Sequence, residues 1–314
     1  MDLRHLRAFA TIVDAGGFAR AVASLRLSQP ALSRQIGALE AELGVRLFDR
    51  IGRGVRLTAE GEDLLRRARR LLADADSLGE RAQALKGGQT GVLRVGATPQ
   101  AIETLLARLL PHYRRRHPGV EVHLVEDGGV RLPARLEHGD VHVALMPAGE
   151  ARFHWRLLAP LYVLAVMTKS HASSRRATVE IDELADTPLL LLRREFVSRQ
   201  WFEAACQTAH IRPHVLLESG APPTLVELAQ AGYGVAIVPS NVRIPRGRLR
   251  AIPIVQRGAP IGRWLSIAWD PRRFLAPYAE QFVTELVALA RRPDARPASI
   301  RRAPAMPRPK QPGE

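Results

Sequence analysis

Apolar residues recur at helical spacing along the N-terminal part of the chain and predict three short amphipathic helices. The third carries Leu32, Ile36, Leu39 and Leu43. Because this spacing alternates between four and three residues, these side chains share one face, which is expected to pack against the preceding helix. Ser28 is a good N-cap, Pro30 suits the first turn, and Gly44 ends the helix. The earlier helices have similar inward faces, formed by Leu3, Leu6, Phe9, Ala10 and Val13 and by Phe18, Ala21, Val22 and Leu25.

The opposite face of the third helix is polar at its N-terminal end. Short polar groups and a guanidinium are the chemistry that reads base edges and phosphates in a major groove. Amphipathic helices with a serine cap are common, however, so helix packing alone remains an alternative. The following LFDRIGRGVRLT favours DNA, because two short strand signals flank a glycine turn that carries arginines. The candidate DNA-binding residues are Ser28, Gln29, Pro30, Ser33, Arg34, Arg50, Arg53 and Arg56.

These features together predict a winged helix-turn-helix over residues 1–58. Arg53, at the tip of the hairpin, is expected in a narrow minor groove, a known environment for arginine. The alternative is that Arg53 only solvates the turn. In either case the hairpin follows the third helix directly, which is the order of elements in a winged domain.

A resemblance to the LysR-type bacterial transcriptional regulators is carried by SQPALSRQI, LEAELGVRLFDR and GRGVRLTAEGE. It continues more loosely in GYGVAIVP at 232–239 and MTKSH at 167–171. The resemblance implies that the start of the third helix meets the operator and that Arg53 lies in the wing. The chain departs from the family in two places: Ala19 replaces a frequent Ser or Thr, and Gly37-Ala38 replace frequent basic residues. Fewer contacts to the DNA backbone are therefore expected.

One long helix is predicted after the hairpin, capped by Thr58 and acidic in its first turn. Its apolar seam alternates at spacings of four and three through Leu64, Ala68, Leu71, Ala75, Leu78, Ala82 and Leu85. Such regularity is typical of a coiled coil. Residues 59–90 are therefore expected to form a dimerisation helix and hinge, giving homodimers that pair into homotetramers. Packing of the seam on the chain's own effector domain is the alternative.

Strands alternate with helices from Val92 onward, which predicts parallel sheets with helices on their faces. One half contains VLRVG, VEVHLVE and VHVALM, and the other contains LYVLAVM, LLLL, VLLES and VAIVP. WLSIAW at 264–269 and the helix after it are expected to return to the first half. Two such lobes resemble the periplasmic-binding-protein fold that the LysR family uses for its effector domain. Residues 91–292 are accordingly predicted to be a two-lobed α/β effector-binding domain.

Ligands of such folds bind between the lobes, where strands end and helix N-termini offer free amides. The candidate lining contains Thr98, Pro99, Gln100, Ser198 and Arg199, with Gly128, Gly129, Met146, Ser219 and Gly220 added by the resemblance. N-capping alone is the alternative for Thr98 and Ser198. Val130 stands near a position where the family often supplies a hydroxyl. A small-molecule effector is therefore expected, such as a carboxylate with an apolar part.

The chain of 314 residues carries a formal net charge of +15. This charge favours polyanionic partners such as double-stranded promoter DNA. A second explanation is a GC-rich genome, because lysine occurs only at 86, 169 and 310. Residues 293–314 are rich in proline and arginine and are predicted to be a disordered basic tail. This tail either adds nonspecific DNA affinity or is simply solvated.

Signatures of catalysis and of metal binding are weak. The sequence has no GxSxG or Walker A motif, and Gly232-Tyr233-Gly234 lacks a third glycine. Two pairs have one-turn spacing but no neighbouring third ligand, namely Cys206 with His210 and His138 with His142. No enzyme, metal or cofactor is therefore expected.

Cysteine content and apolar run length indicate the compartment. The single cysteine fits a reducing environment. The longest apolar run is broken by Pro160 and is too short for a membrane span. A cytoplasmic protein, nucleoid-associated when bound to DNA, is expected.

These observations predict a sequence-specific regulator whose effector closes a cleft between two lobes. Closure would change how paired dimers sit on the operator and how RNA polymerase approaches. Two alternatives from other classes stay open. One is a nonspecific DNA-packaging protein, and the other is a ligand-binding protein without a role on DNA.

Overall fold

The computed structural model describes residues 2–51, 54–85, 90–245, 247–292, 300 and 303–309. The chain divides into two compact units: the N-terminal unit comprises Met1–Gly87 with Glu137–Asp140, and the C-terminal unit comprises Gly88–Leu136 and Val141–Glu314. No helix among these described ranges is long and apolar enough to cross a membrane.

The N-terminal unit is built from the predicted helices and hairpin. Its elements are α1 (Leu3–Asp14), α2 (Phe18–Leu25), α3 (Gln29–Leu43), β1 (Phe48–Ile51), β2 (Gly54–Leu57) and α4 (Ala59–Leu85). Phe9, Ile12 and Leu32 are fully buried in its core. The ring of Phe48 meets that of Phe9 edge-on at 5.5 Å between centroids, which packs the hairpin on the helices. Leu3, expected to point inward, is exposed.

The start of α4 is fixed against the hairpin. The Thr58 hydroxyl donates to the Arg46 carbonyl at 2.7 Å and accepts from the Gly61 amide at 2.9 Å. Gly61 has no room for a side chain, because an added Cβ would lie 2.3 Å from the Leu47 carbonyl oxygen. The predicted N-cap is therefore present, and the first turn of α4 is locked to the residues that enter β1.

The apolar seam of α4 divides into two parts. Ala68 is buried in the core of the N-terminal unit, and Leu64 packs against that core. These two positions are thus corrected: they stabilise the chain's own winged domain. Leu71 is 48% exposed and Leu78 is 72% exposed. Ala82 is also exposed and Ala75 is half-buried, while the side chain of Leu85 lies outside the described residues.

The C-terminal unit alternates strands and helices as predicted, but its sheets are mixed and not parallel throughout, because several strand pairs are antiparallel. Its first elements are β3 (Gly91–Ala97), α5 (Pro99–Ala101), a π-helical turn (Ile102–Leu106), α6 (Ala107–Arg116), β4 (Val120–Glu126), α7 (Leu132–His138), β5 (Val143–Pro147), β6 (His154–Thr168), β7 (Val179–Glu180) and β8 (Leu189–Leu192). They are followed by α8 (Val197–Thr208), β9 (Val215–Ser219), α9 (Pro222–Gln230), β10 (Val235–Pro239), β11 (Leu249–Gln256), β12 (Ala259–Pro260), β13 (Gly262–Trp269) and α10 (Pro277–Ala290).

Two lobes share the long strand β6. The first lobe has the strand order β4-β3-β5-β13-β6. In the second lobe the far half of β6 lies between β10 and β11, and β8 and β9 continue the sheet beyond β10. The junction is sharp, because Tyr162 pairs with Gly262 of β13 whereas Val163 pairs with Pro239 of β10. Residues 264–269 return to the first lobe, as predicted.

The C-terminal tail differs in part from the prediction. Ile300 is buried in a core cluster of the second lobe. Ala303–Pro309 forms neither helix nor strand and is held by hydrogen bonds from Tyr162 and Trp264. Disorder is therefore wrong for these residues, because apolar contacts of Ile300, Ala303 and Met306 and hydrogen bonds to backbone carbonyls hold them in the absence of periodicity. The rest of 293–314 lies outside the described residues.

Candidate DNA-binding surface and effector cleft

Helix α3 begins and ends where its caps were predicted. The backbone of Ser28 is extended, and the Ser28 hydroxyl accepts a hydrogen bond from the Ala31 amide at 3.4 Å. Gly44 adopts the left-handed conformation with φ 70° and donates its amide to the Glu40 carbonyl. A side chain at Gly44 would be strained in this conformation. The N-terminal end of α3 is therefore held at a defined position.

The predicted recognition residues of α3 all lie on its exposed side: Ser28, Gln29, Pro30, Ser33 and Arg34. Leu32, Ile36 and Leu39 are buried on the opposite face. Within the described residues, nothing pairs with the Arg34 guanidinium. Gly37 and Ala38 extend the exposed face by a further turn and add no bulk. This surface can approach a DNA groove closely, and it carries the Arg34 guanidinium near the N-terminal end of α3.

The wing is only partly described. Arg56 is exposed on β2 and lies opposite Asp49 of β1 in the register of the hairpin. The side chain of Arg50 and the whole of Arg53 lie outside the described residues. The predicted approach of Arg53 to a minor groove therefore stays a prediction.

Glu40 is a functional residue that sequence reasoning missed. Its carboxylate accepts from the Leu47 amide at 2.7 Å and the Phe48 amide at 3.3 Å. These bonds tie α3 to the first residue of the wing, so recognition helix and hairpin move together. The only signal in the sequence was the position of this acid, one turn before Gly44.

A cavity between the lobes collects six of the ten predicted effector residues: Thr98, Gln100, Gly128, Gly129, Met146 and Ser198. The cavity has room for little more than one water molecule. A direct contact closes it on one side, because the Val197 amide of the second lobe donates to the Gly128 carbonyl of the first at 3.2 Å. The two lobes are thus in contact in this arrangement.

The glycine loop of the first lobe is shaped by a buried carboxylate. Asp127 accepts from the Gly129 amide at 3.1 Å and from the guanidinium of Arg131 at 3.0 Å. Gly129 has φ 104°, and a Cβ on Gly128 would lie 2.3 Å from the Glu195 carbonyl oxygen. Only glycine at both positions allows the backbones of the two lobes to approach this closely.

Four predicted effector residues do not line this cavity: Pro99, Arg199, Ser219 and Gly220. Arg199 is buried in a structural ion-pair cluster, where its guanidinium contacts Glu203 and Glu218, each at 2.8 Å. The Ser219 hydroxyl accepts from the Ala221 amide at 3.1 Å. The start of α8 therefore contributes Ser198, while Arg199 points into the lobe. Val130 is partly exposed and does not line the cavity either.

Asn241 and a set of apolar residues complete the lining and were missed by the sequence analysis. The Asn241 side-chain oxygen is buried without a hydrogen-bond partner among the described residues. Asn241 follows β10, so the rule that ligands bind where strands end would have found it. The main apolar additions are Leu161, Phe196 and Leu265. Because no charged side chain lines the described cavity, its polarity comes from hydroxyls, amides and backbone.

Thr98 combines two roles at the cavity. Its hydroxyl accepts from the Ala101 amide at 3.3 Å and so caps α5. The same residue lines the cavity, so capping does not exclude contact with a ligand. Elsewhere, no group of three or more metal-binding side chains occurs within the described residues.

Comparisons with known proteins match both parts of the chain. The LysR substrate binding domain matches residues 86–291, and the lysR-family bacterial regulatory helix-turn-helix protein matches residues 3–62. The chain is 32% identical to the HTH-type transcriptional regulator IlvR of Caulobacter vibrioides, over 81% of this chain and 88% of that protein. It is 29% identical to AlsR of Bacillus subtilis, over 77% and 82%.

Solved structures of full-length regulators show the same architecture. A full-length OxyR variant of Pseudomonas aeruginosa has a TM-score of 0.66 and 26% identity, covering 93% of this chain and 98% of that one. CbnR complexed with its target DNA has a TM-score of 0.59 and 26% identity, covering 91% and 99%. The chain therefore belongs to the LysR family of bacterial transcriptional regulators, DNA-binding proteins with an effector-binding domain and not enzymes.

Proposed function

We propose that the exposed start of α3 reads the operator in a major groove and that the β1–β2 hairpin contacts the flanking minor groove. The exposure of Gln29, Ser33 and Arg34 opposite the buried leucines carries this proposal. Arginine contacts guanine bidentately, and short polar groups contact phosphate or bases at helix N-termini. Glu40 fixes the hairpin relative to these residues.

Genome-wide mapping of bound DNA tests this proposal and supplies the operator. We expect discrete peaks near a few promoters. In a gel shift at physiological salt, the strongest site should bind at least about 10³-fold more tightly than a scrambled duplex, as specific regulators do. Equal binding to both duplexes would favour the packaging alternative, in which affinity depends on salt and not on sequence.

The proposed effector is a small molecule with an apolar body and polar groups that pair with neutral side chains. The cavity offers Met146, Leu161 and Phe196 for the body. It offers Thr98 and Asn241 for hydrogen bonds, and a carboxylate would have to rely on backbone amides. Because the cavity has so little room, the lobes must separate to admit such a ligand. A ligand that binds one lobe arrangement more tightly then shifts the population toward it.

Thr98→Val is expected to leave operator binding intact and to abolish the response to effector. Valine keeps the shape but removes the hydroxyl that lines the cavity, and the lost cap costs about 1 kcal/mol. The measurement is a gel shift of both proteins with and without candidate effectors. The candidates are carboxylic acids that are substrates of the proteins encoded beside the operator. Thr98→Ser, which retains the hydroxyl, is the control. Unfolding of the valine variant in a thermal melt would assign Thr98 to capping alone.

We further propose that the regulator is a homodimer, paired into a tetramer, that binds two half-sites at a promoter and so alters the approach of RNA polymerase. The distal half of α4 supports this proposal, since Leu71 and Leu78 are exposed on one stripe with small alanines between and beyond them. Alanine allows two helices to approach closely, and exposed leucine gains from burial against a partner helix. Helix-turn-helix dimers commonly read paired half-sites. On DNA the protein would be part of the nucleoid.

A further inference from the structure

The C-terminal segment, defined as Ile300 and Ala303–Pro309, lies in a groove that belongs neither to the DNA-binding surface nor to the effector cavity. It lies beyond residue 291, where the match to the substrate binding domain ends. The Tyr162 hydroxyl donates to the Pro304 carbonyl at 2.9 Å, and the Trp264 indole donates to the Met306 carbonyl at 3.2 Å. The Arg308 guanidinium lies 5.4 Å from the centre of the Trp264 ring.

This set of contacts is the chemistry by which proteins bind proline-rich peptides. Such peptides have free backbone carbonyls and dock in grooves lined by aromatic residues. In the C-terminal segment, prolines at 304, 307 and 309 disfavour a helix, and the observed backbone is neither helical nor part of a sheet. The bonds from tyrosine and tryptophan go to carbonyl oxygens, and the arginine stacks on an aromatic face. The groove is therefore suited to a proline-rich chain.

The groove crosses the junction between the two lobes. Tyr162 is the last residue of β6 to pair with β13, and the next residue pairs with β10. Trp264 belongs to the first-lobe sheet, where it pairs with Pro160. Ile300 is buried in the second-lobe core beside Val242 and Leu249. The segment thus contacts both lobes and the junction: Ile300, Ala303 and Met306 pack on the second-lobe core, while Trp264 of the first lobe donates to the Met306 carbonyl.

Close packing shows that the segment is seated directly on the junction. A Cβ at Gly262 would lie 2.8 Å from the terminal methyl carbon of Met306. The same Cβ would lie 2.2 Å from the Leu161 carbonyl oxygen of the crossing strand. A cavity remains beside the segment, between Met306–Pro309 and the side chains of Trp201 and Arg263. The segment therefore has space on one flank into which it can shift.

We propose that the C-terminal segment is a strap that holds the lobes in the closed arrangement described above, and that lobe separation loosens it. The link to the effector rests on the proposed function, in which the ligand requires the lobes to move. A segment in the same chain has an effective concentration of about 1 mM, so moderate intrinsic affinity keeps it bound. Linkage is reciprocal, so a strap that stabilises one lobe arrangement weakens any ligand that needs the other.

Binding in trans tests whether the groove recognises this segment. A fluorescent peptide of residues 299–314 is added to the regulator shortened to residue 292, which retains both family-matched regions. We expect the peptide to bind the shortened regulator with a Kd below about 0.1 mM, and the full chain at least about tenfold more weakly. Tyr162→Phe and Trp264→Phe should each lower peptide affinity severalfold, while Tyr233→Phe, an exposed control outside the groove, should not. Equal binding to both chains, or no binding to the shortened one, would overturn the proposal.

A distance measurement between the lobes tests the strapping role itself. Spin labels are placed at Arg115→Cys on α6 and Glu227→Cys on α9, both exposed positions. Cys206 is buried, and burial raises the pKa of its thiol to about 11, so it should resist labelling.

In full-length protein we expect a narrow distribution of the label distance. The Tyr162→Phe, Trp264→Phe double variant and the shortened chain should both broaden it and move it to longer distances. An unchanged distribution would refute the strap even if the peptide binds. This readout needs neither DNA nor effector, so its outcome is independent of the proposed operator and effector residues.

Discussion

Replacing Leu71 and Leu78 with lysine should convert the regulator into monomers and lower its operator affinity by about 10²- to 10⁴-fold. Both leucines are exposed on α4, so the substitutions leave the core of the N-terminal unit unchanged. In a helix pair they would instead place charges on a buried apolar stripe, where an unpaired ammonium is costly. Because dimeric binding links two half-sites, loss of the dimer removes the gain from the second contact.

Light scattering and gel shifts on the same samples measure this result. Leu216→Lys is the matched control, because it makes the same change at an exposed leucine of β9, in the C-terminal unit. We expect the control to keep the oligomeric state and the operator affinity of the unmodified chain. A double variant that remains oligomeric would place the interface elsewhere and remove the role proposed for the distal half of α4.

Replacing Arg34 with alanine should reduce preference for the cognate operator by about 1 to 3 kcal/mol, or about 5- to 150-fold, if the guanidinium reads a base. The side chain is exposed at the start of α3 and has no partner among the described residues. Its removal therefore costs the fold little. If Arg34 contacts only phosphate, all sequences should weaken about equally and the salt slope should fall by about one.

Arg34→Lys separates these two roles. Lysine keeps the charge but lacks the planar pair of donors that matches guanine. A phosphate contact should therefore survive in the lysine variant, while base preference should be lost as in alanine. Titrations of operator and scrambled duplex at several salt concentrations provide both the sequence preference and the salt slope. Unchanged affinity and preference in both variants would move recognition away from Arg34.

Local signals in the sequence predicted most of the architecture. Caps such as Ser28, Gly44 and Thr58 act within a few residues, so their positions followed from residue type and apolar spacing. The alternation of strands and helices likewise predicted two lobes, and the family match over residues 86–291 confirms that fold. These features depend on residues that are close together in the sequence, so a local sequence pattern is enough to predict them.

Features that depend on distant partners were not predictable in the same way. Arg199 was expected in the cleft, yet its guanidinium pairs with Glu218 on strand β9. Periodicity placed Ala68 on a seam but could not say that the seam's first turns pack on α1 and into the core of the winged domain. The C-terminal segment shows no helical or strand periodicity, because hydrogen bonds to its backbone and a few irregularly spaced side chains hold it in place.

The shared strand β6 also determines the order in which the regulator can fold during synthesis. In the first lobe, β13 is hydrogen-bonded between β5 and β6. Strand β5 ends at Pro147, whereas β13 begins only at Gly262. A nascent chain that stops between these points has its DNA-binding domain complete, but its first sheet lacks a central strand and exposes two unpaired edges. Such edges readily pair with other chains. The DNA-binding domain can thus fold well before the effector domain, whose first sheet is completed only by about the last sixth of the chain.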